Sequence, residues 1–253
     1  MLRTRVIPAL LLRNRGLVKT VKFKSPKYLG DPINIVKIFN DKEVDELVFL
    51  DITATKEGKS PPFELLANIT SECFMPLGYG GGIQKMEDVK RLLSMGIEKI
   101  ILNSYAVENP DFVSEVAAFA GNQAVVISID VKKNWRGRYE VITHGGTKKT
   151  GLNPVDFALQ MQEKGAGEIF LNSIDRDGTM EGYDLELTKS IAEVLEVPLI
   201  ACGGAKNVQD LGDVVKQGSA SAAAAGSIFV FQGPLRGVLI SYPSQKELRA
   251  VLP

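Results

Sequence analysis

The sequence predicts a (β/α)8 barrel, and three observations carry the prediction. Eight short apolar runs punctuate the chain: Val6 to Leu12, Leu47 to Ile52, Pro76 to Tyr79, Lys99 to Leu102, Ala124 to Ile129, Glu168 to Leu171, Pro198 to Ala201 and Ser221 to Ala225. None alternates with polar residues, which is the pattern of parallel strands covered on both faces. Amphipathic stretches separate the runs, and eight strand–helix units with right-handed crossovers close most simply into a ring. The chain also repeats itself. Asp45-Glu46-Leu47-Val48-Phe49-Leu50-Asp51 is echoed by Gly167-Glu168-Ile169-Phe170-Leu171-Asn172-Ser173, and Met75-Pro76-Leu77-Gly78 through Gly82 by Val197-Pro198-Leu199-Ile200 through Gly204. Glu46 and Glu168, Pro76 and Pro198, and Gly81 and Gly203 are all separated by the same interval. Two half-barrels, residues 1–122 and 123–253, would complete one domain spanning 1–253. An open doubly wound sheet is the alternative; two equal halves favour closure.

Taken in order, the first apolar run leads into a polar stretch, Asn14 to Asp31, rich in Lys and Gly (Arg15, Gly16, Lys19, Lys22, Lys24, Lys27, Gly30). It reads as one long loop over the C-terminal face of the barrel, a lid for an anion, since loops of this length in compact domains are usually functional. A helix follows from Pro32 to Phe39, with proline suited to its first turn. Glu87 to Leu93 and Asn207 to Val215 have apolar residues at helical spacing and occupy matching places in the two halves. Asp184 suits the N-cap of a helix from Leu185 to Leu195.

Composition narrows the partners. The 253 residues are 45% hydrophobic and 24% charged, with thirty basic and thirty acidic side chains. No global field draws the chain to nucleic acid or to a membrane surface, so an anionic ligand must be held by local groups. No apolar run approaches the roughly 20 residues of a membrane span. The start, Met1-Leu2-Arg3-Thr4-Arg5-Val6, lacks the apolar core of an export signal, so a cytoplasmic location is expected. Cys73 and Cys202 have neither disulfide nor zinc spacing and read as small apolar residues in a reducing compartment. No metal or cofactor is expected.

The residues suited to chemistry fall at strand ends. Gly80-Gly81-Gly82 and Gly203-Gly204 each end a strand and precede a helix, where bare backbone N–H groups and a positive helix end can hold a phosphate. Asn103-Ser104 ends the next strand in the first half, and Ala225-Gly226-Ser227 in the second. Two opposed sites imply a ligand with a phosphate at each end; close strand–helix packing is the plainer account of such glycines. Asp51, Asp130, Asp175 and Asp177 also lie at strand ends on the face where barrel active sites sit. Asp130, at the lip of an apolar strand, suits proton transfer with a raised pKa. Asp51 and Asp175 suit loop bracing, and Asp51 counts among the ligand-facing candidates as well. At the opposite strand ends, Arg5, Glu46, Lys99 and Glu168 would form a salt-bridge layer. Such a layer plugs the barrel or gates a passage through it, and spacing alone favours the plug. His144 falls in a loop by composition and reads as solvated. Trp135, in Asn134-Trp135-Arg136-Gly137, reads as an exposed aromatic that is either a local clamp or a partner contact.

Several of these segments resemble a known family. Gly30-Asp31-Pro32, Asp45 through Ala54, Gly80-Gly81-Gly82-Ile83, Asn103-Ser104, Thr143-His144-Gly145-Gly146, Gly165 through Ile169, Ser173 through Thr179 and Gly182-Tyr183-Asp184 are similar to the cyclase subunit of imidazole glycerol phosphate synthase. The similarity covers nearly the whole chain. It implies a (β/α)8 barrel with internal two-fold symmetry, a glutaminase subunit docked at the bottom, and ammonia passing through the barrel to a bisphosphorylated substrate. It implies that Lys19, Gly82, Asn103, Ser104, Asp177, Gly178, Gly204, Gly226 and Ser227 lie near the substrate, most of them at its phosphates. It turns the ring of Arg5, Glu46, Lys99 and Glu168 from plug to gate, and Glu98 faces the partner. The sister isomerase barrel of the same pathway fits less well, because the bottom ring and Asp175-Arg176-Asp177-Gly178-Thr179 match the ammonia user.

One departure bears on mechanism. The family's two proton-transfer aspartates end strands one and five. Asp130 fills the second place, but Ala9-Leu10-Leu11 puts Leu11 in the first. Losing one member of an acid–base pair typically costs about 10²–10⁴ in rate. Relatives of this kind in surface-polysaccharide and lipopolysaccharide pathways relay ammonia, with a glutaminase, to a sugar amidotransferase. Two expectations therefore stand: a working cyclase subunit of histidine biosynthesis, and an ammonia conduit for acetamidino-sugar formation.

Overall fold

The computed structural model describes residues 4–253; Met1 to Arg3, part of the start read above for an export signal, lie outside the described residues. Eight parallel strands form a closed (β/α)8 barrel. They are β1 (Arg5–Arg13), β2 (Leu47–Asp51), β3 (Leu77–Gly80), β4 (Lys99–Leu102), β5 (Val125–Lys133), β6 (Glu168–Ser173), β7 (Leu199–Cys202) and β8 (Ala222–Ala225). Each pairs with the next, β1 aligning Ala9 with Val48 of β2 and Ile7 with Ala224 of β8, so the ring has no edge. β5 and β6 lie side by side, with Asp130 beside Asn172.

The helices are α1 (Pro32–Asp41), α2 (Phe63–Thr70), α3 (Met86–Ser94), α4 (Pro110–Ala120), α5 (Pro154–Glu163), α6 (Leu185–Ala192), α7 (Val208–Lys216) and α8 (Gln245–Val251). Their starts follow local chemistry. Asp31 accepts from the backbone N–H groups of Ile33 and Asn34 ahead of Pro32, Asp184 accepts from Leu187, and Ser244 and Glu247 form a reciprocal capping box. Among the described residues, no helix is long and apolar enough to cross a membrane.

Strand parity sorts the side chains into two cores. Val6, Leu10, Leu12, Leu47, Phe49, Leu77 and Tyr79 point outward and pack beneath the helices. Ile7, Ala9, Val48, Ile101, Val126, Phe170, Ile200, Ala222 and Ala224 point inward and fill the barrel. Every strand is therefore buried on both faces, which is why its sequence shows no alternation.

The stretch from Asn14 to Asp31 is not the loop that its composition suggests. Gly16–Val21 and Lys24–Gly30 are strands of a hairpin that continues the β1 sheet outward. Two features account for it. Leu17, Val18, Lys19 and Thr20 are all buried, and the turn residues Lys22 and Phe23 take left-handed φ values of 51° and 61°. A two-residue turn of that hand matches the twist of the flanking strands. β5 is likewise longer than the apolar run and turns back through Tyr139–Thr143, with Trp135 in the connecting turn.

Candidate functional site

The C-terminal ends of the strands enclose one large pocket, lined by Leu11, Lys19, Asp51, Gly82, Asn103, Ser104, Asp130, Asn172, Asp177, Gly178, Cys202, Gly204, Gly226 and Ser227, among others. Every ligand-facing candidate from the sequence lies in this one lining. The two cradles are equivalent. Gly82, φ +69°, sits so close to the short helix Ala54–Glu57 and the residues after it that an added Cβ would stand 2.2 Å from the carbonyl oxygen of Lys59. Gly204, φ +108°, would place its Cβ 2.1 Å from the carbonyl oxygen of Gly182. Only a residue without Cβ fits either place. Gly82→Ala and Gly204→Ala are each expected to destabilise the fold by more than about 1 kcal/mol. Chemical denaturation checks this, and an unchanged midpoint would mean that the opposing carbonyl yields freely.

The polar groups beside the cradles differ in their state. In the first, Ser104 Oγ accepts from the His144 backbone N–H at 2.9 Å and donates to Asn103 Oδ1 at 3.1 Å. His144, φ +54°, is thus a backbone brace for Ser104, not merely a solvated loop histidine. In the second, Ser227 Oγ is buried with no partner. A buried hydroxyl left unpaired costs about 1–3 kcal/mol, a cost that a ligand oxygen would relieve.

The hairpin is fastened across this pocket. Lys19 Nζ lies 2.6 Å from Asp177 Oδ1, with both side chains almost wholly buried. Thr20 Oγ1 donates to Asp177 Oδ2 at 2.9 Å, and the Phe23 and Lys22 backbone N–H groups donate to the Asp177 carboxylate and carbonyl. Arg236 donates to the carbonyls of Gly178 and Thr179 from the other side. Thr20 is a site residue that sequence reasoning missed, since an isolated threonine in a basic stretch carries no signal. Asn172 and Cys202 were missed for another reason. Each closes an apolar run, and only strand parity shows that it faces the pocket.

Asp130 sits on the pocket floor. Burial pushes its carboxyl group up to about 7, against hydrogen bonds from Asn103 and Asn172 that favour the ionised form; the nearby charge of Asp177 adds to the rise. Asn103 Nδ2 is 3.1 Å from Asp130 Oδ2. Leu11 lines the same pocket and offers no proton. Asp51 and Asp175 are braces. Asp51 Oδ1 accepts from Thr53 N, Thr53 Oγ1 and Ala54 N at 2.8–3.0 Å, while Asp175 Oδ2 accepts from Lys133 N at 2.9 Å. Cys202, read from sequence as a buried apolar residue, faces the pocket; burial and then the Asp177 charge push its thiol up to about 12, so it stays protonated. Trp135 is exposed, with the Arg136 guanidinium 4.4 Å from its ring centroid. Among the described residues no cluster suited to a metal ion occurs.

At the other end of the barrel the four charged residues close a ring. Arg5 Nη1 is 2.5 Å from Glu46 Oε2, Arg5 Nη2 is 2.7 Å from Glu168 Oε1, and Lys99 Nζ is 2.6 Å from Glu168 Oε2 and 3.6 Å from Glu46 Oε2. Glu46 Oε1 remains buried and unpaired, and burial raises the Glu46 pKa despite Lys99 and Arg5. Glu98, exposed on the same face, edges a small hollow with Phe74, Cys73 and Met75.

This is a (β/α)8 barrel with a duplicated glycine cradle at one end and a charged ring at the other. Its sequence matches the family described as "Histidine biosynthesis protein" over residues 5–235. It is 50% identical over 252 residues to a protein of Leptospira interrogans named "Putative imidazole glycerol phosphate synthase subunit HisF", covering 99% of each chain. It is 50% identical over 248 residues to the "hisF2" protein of Pseudomonas aeruginosa, covering 98% of this chain and 99% of that one. The "Imidazole glycerol phosphate synthase subunit HisF" of Alkaliphilus metalliredigens is 46% identical over 229 residues, or 90% of this chain and 91% of that one. The chain belongs to the histidine biosynthesis protein family and, within it, to the HisF type.

Proposed function

We propose that this chain is a cyclase-type subunit that receives ammonia from a glutaminase docked on the charged-ring face and delivers it to a bisphosphorylated ligand held between the two cradles. One observation carries the reading: the closed ring of Arg5, Glu46, Lys99 and Glu168 and the duplicated cradle stand at opposite ends of one barrel interior. Between them the inward side chains are apolar, Ile7, Val48, Ile101, Val126, Phe170, Ile200, Ala222 and Ala224. Such an interior suits a neutral amine and rejects ammonium, because an unpaired charge is costly to bury. Glu98 and exposed Phe74 lie on the ring face and suit contact with the glutaminase. Lys19, released from Asp177, is the cation for one phosphate, and Asp130 is the group that moves the proton.

In this reading the ring is a gate. Lys99→Ala leaves Glu46 and Glu168 with Arg5 alone, so the ring neither closes nor opens in step with the partner. The expected result is loss of coupling: glutamine-dependent product falls relative to glutamine hydrolysed, while ammonia-dependent turnover is preserved. Equal loss of both would make the ring a structural plug.

Leu11 favours a second reading, an ammonia conduit that supplies a sugar amidotransferase in surface-polysaccharide synthesis and has little cyclase activity of its own. Sugar-nucleotide genes beside this one would support it, and histidine genes would support the first reading.

A further inference from the structure

We infer that Asn172 is a positioning residue for Asp130, one half of a two-amide clamp that holds the carboxyl group on the pocket floor. This rests on the reading of Asp130 as the proton-transfer group. Asp130 lies next to the last buried residue of β5, with Asn103 just past β4 on one side and Asn172 on β6 on the other. The Cα atoms of Asn172 and Asp130 are register partners, and Asn172 is also the partner of Cys202 on β7. Asn103 is tied at both ends of its amide. Nδ2 donates to Ser128 O at 2.9 Å and Asp130 Oδ2 at 3.1 Å, and Oδ1 accepts from Ser104. Asn172 faces the pocket from the strand beside Asp130, and it favours the ionised carboxyl group as Asn103 does.

The orientation of Asn172 carries a cost that packing alone does not explain. Its Oδ1 is buried with no partner, and it lies against Gly203, where an added Cβ would stand 3.1 Å away. The amide is thus turned with its donor end toward Asp130 and its acceptor end unsatisfied. A leucine, branched at the same carbon, would fill the space without an orphaned acceptor, which is expensive to bury. Of the other titratable groups facing Asp130, Asp177 is engaged by Lys19, and the protonated Cys202 thiol is only a weak donor.

The test is a 13C-carboxyl NMR titration of Asp130 in the full chain, without ligand or partner, its resonance assigned by its loss in Asp130→Asn. In Asn172→Leu the midpoint should rise by about one to two pH units, the size expected on losing one hydrogen bond to a charged group. Asn172→Ser, which keeps a donor, should recover part of that shift. An unmoved midpoint in a folded Asn172→Leu chain overturns the clamp. If that variant does not fold, Asn172→Ala takes its place: the same rise is expected, and an unmoved midpoint again overturns the clamp. Because neither substrate nor glutaminase is present, absence of turnover would count against the function proposed above and leave the clamp standing.

Discussion

Leu11→Asp is expected to raise ammonia-dependent cyclase turnover of the isolated chain by about 10²–10⁴-fold, the usual worth of a positioned proton-transfer group. Leu11 is the inward residue at the upper end of β1, register partner of Leu50 on β2 and of Val18 on the hairpin, and it lines the pocket that holds Asp130. The family resemblance assigns an aspartate to this place, so the substitution restores the missing half of a pair whose other half is present. Leu11 is only partly buried, so a carboxylate there keeps contact with water and can ionise at neutral pH. The double variant Leu11→Asp with Asp130→Asn should lose the gain, because the pair acts as a unit. Steady-state turnover with ammonium salts and the bisphosphorylated substrate of the histidine pathway decides the matter. A wild-type chain that already turns over briskly, with no increase on substitution, would sink the conduit reading and show that Asp130 suffices alone. A gain confined to the variant would favour the conduit.

How far the sequence foretold this architecture depends on which kind of residue is asked about. The barrel was legible because parallel strands buried on both faces leave continuous apolar runs, and Lys99 to Leu102 matches β4 residue for residue. The cradles were legible because tight backbone contact forces glycine at Gly82 and Gly204, and the repeat places them alike. The ring was legible because its four members stand at the starts of their apolar runs. The hairpin was not, since its turn is built from Lys22 and Phe23, which take the left-handed conformation without any Asn-Gly or Gly signature. Nor was the Lys19–Asp177 pair, because its partners are 158 residues apart and only folding brings them together. Asn172 was hidden for a different reason: inside a strand buried on both faces, sequence does not reveal which residues face inward.

Asp130→Asn is expected to stabilise the folded chain, and more so as pH rises. The carboxyl group is moved from its usual 3.8 to about 7 in the folded state, so the native chain binds this proton more tightly than the unfolded chain does. Where the native state holds more protons than the unfolded state, unfolding free energy falls as pH rises. The penalty is absent below about pH 4, grows between pH 4 and pH 7, and is complete above. A shift of about three units corresponds to about 4 kcal/mol, an upper figure for one buried group. The asparagine variant carries no such charge. Its hydrogen bonds with Asn103 and Asn172 add an offset that does not change with pH. Glu46, also raised by burial, is common to both chains and cancels. The informative quantity is therefore the stability difference between variant and wild type, which should widen by about 2–3 kcal/mol between pH 5 and pH 8. For a chain of this size that is on the order of 5–10 °C in Tm. Thermal or denaturant unfolding of both chains across that range measures it. A difference constant with pH would mean that Asp130 titrates as an ordinary surface carboxylate, and its assignment as the proton-transfer group would fall with it.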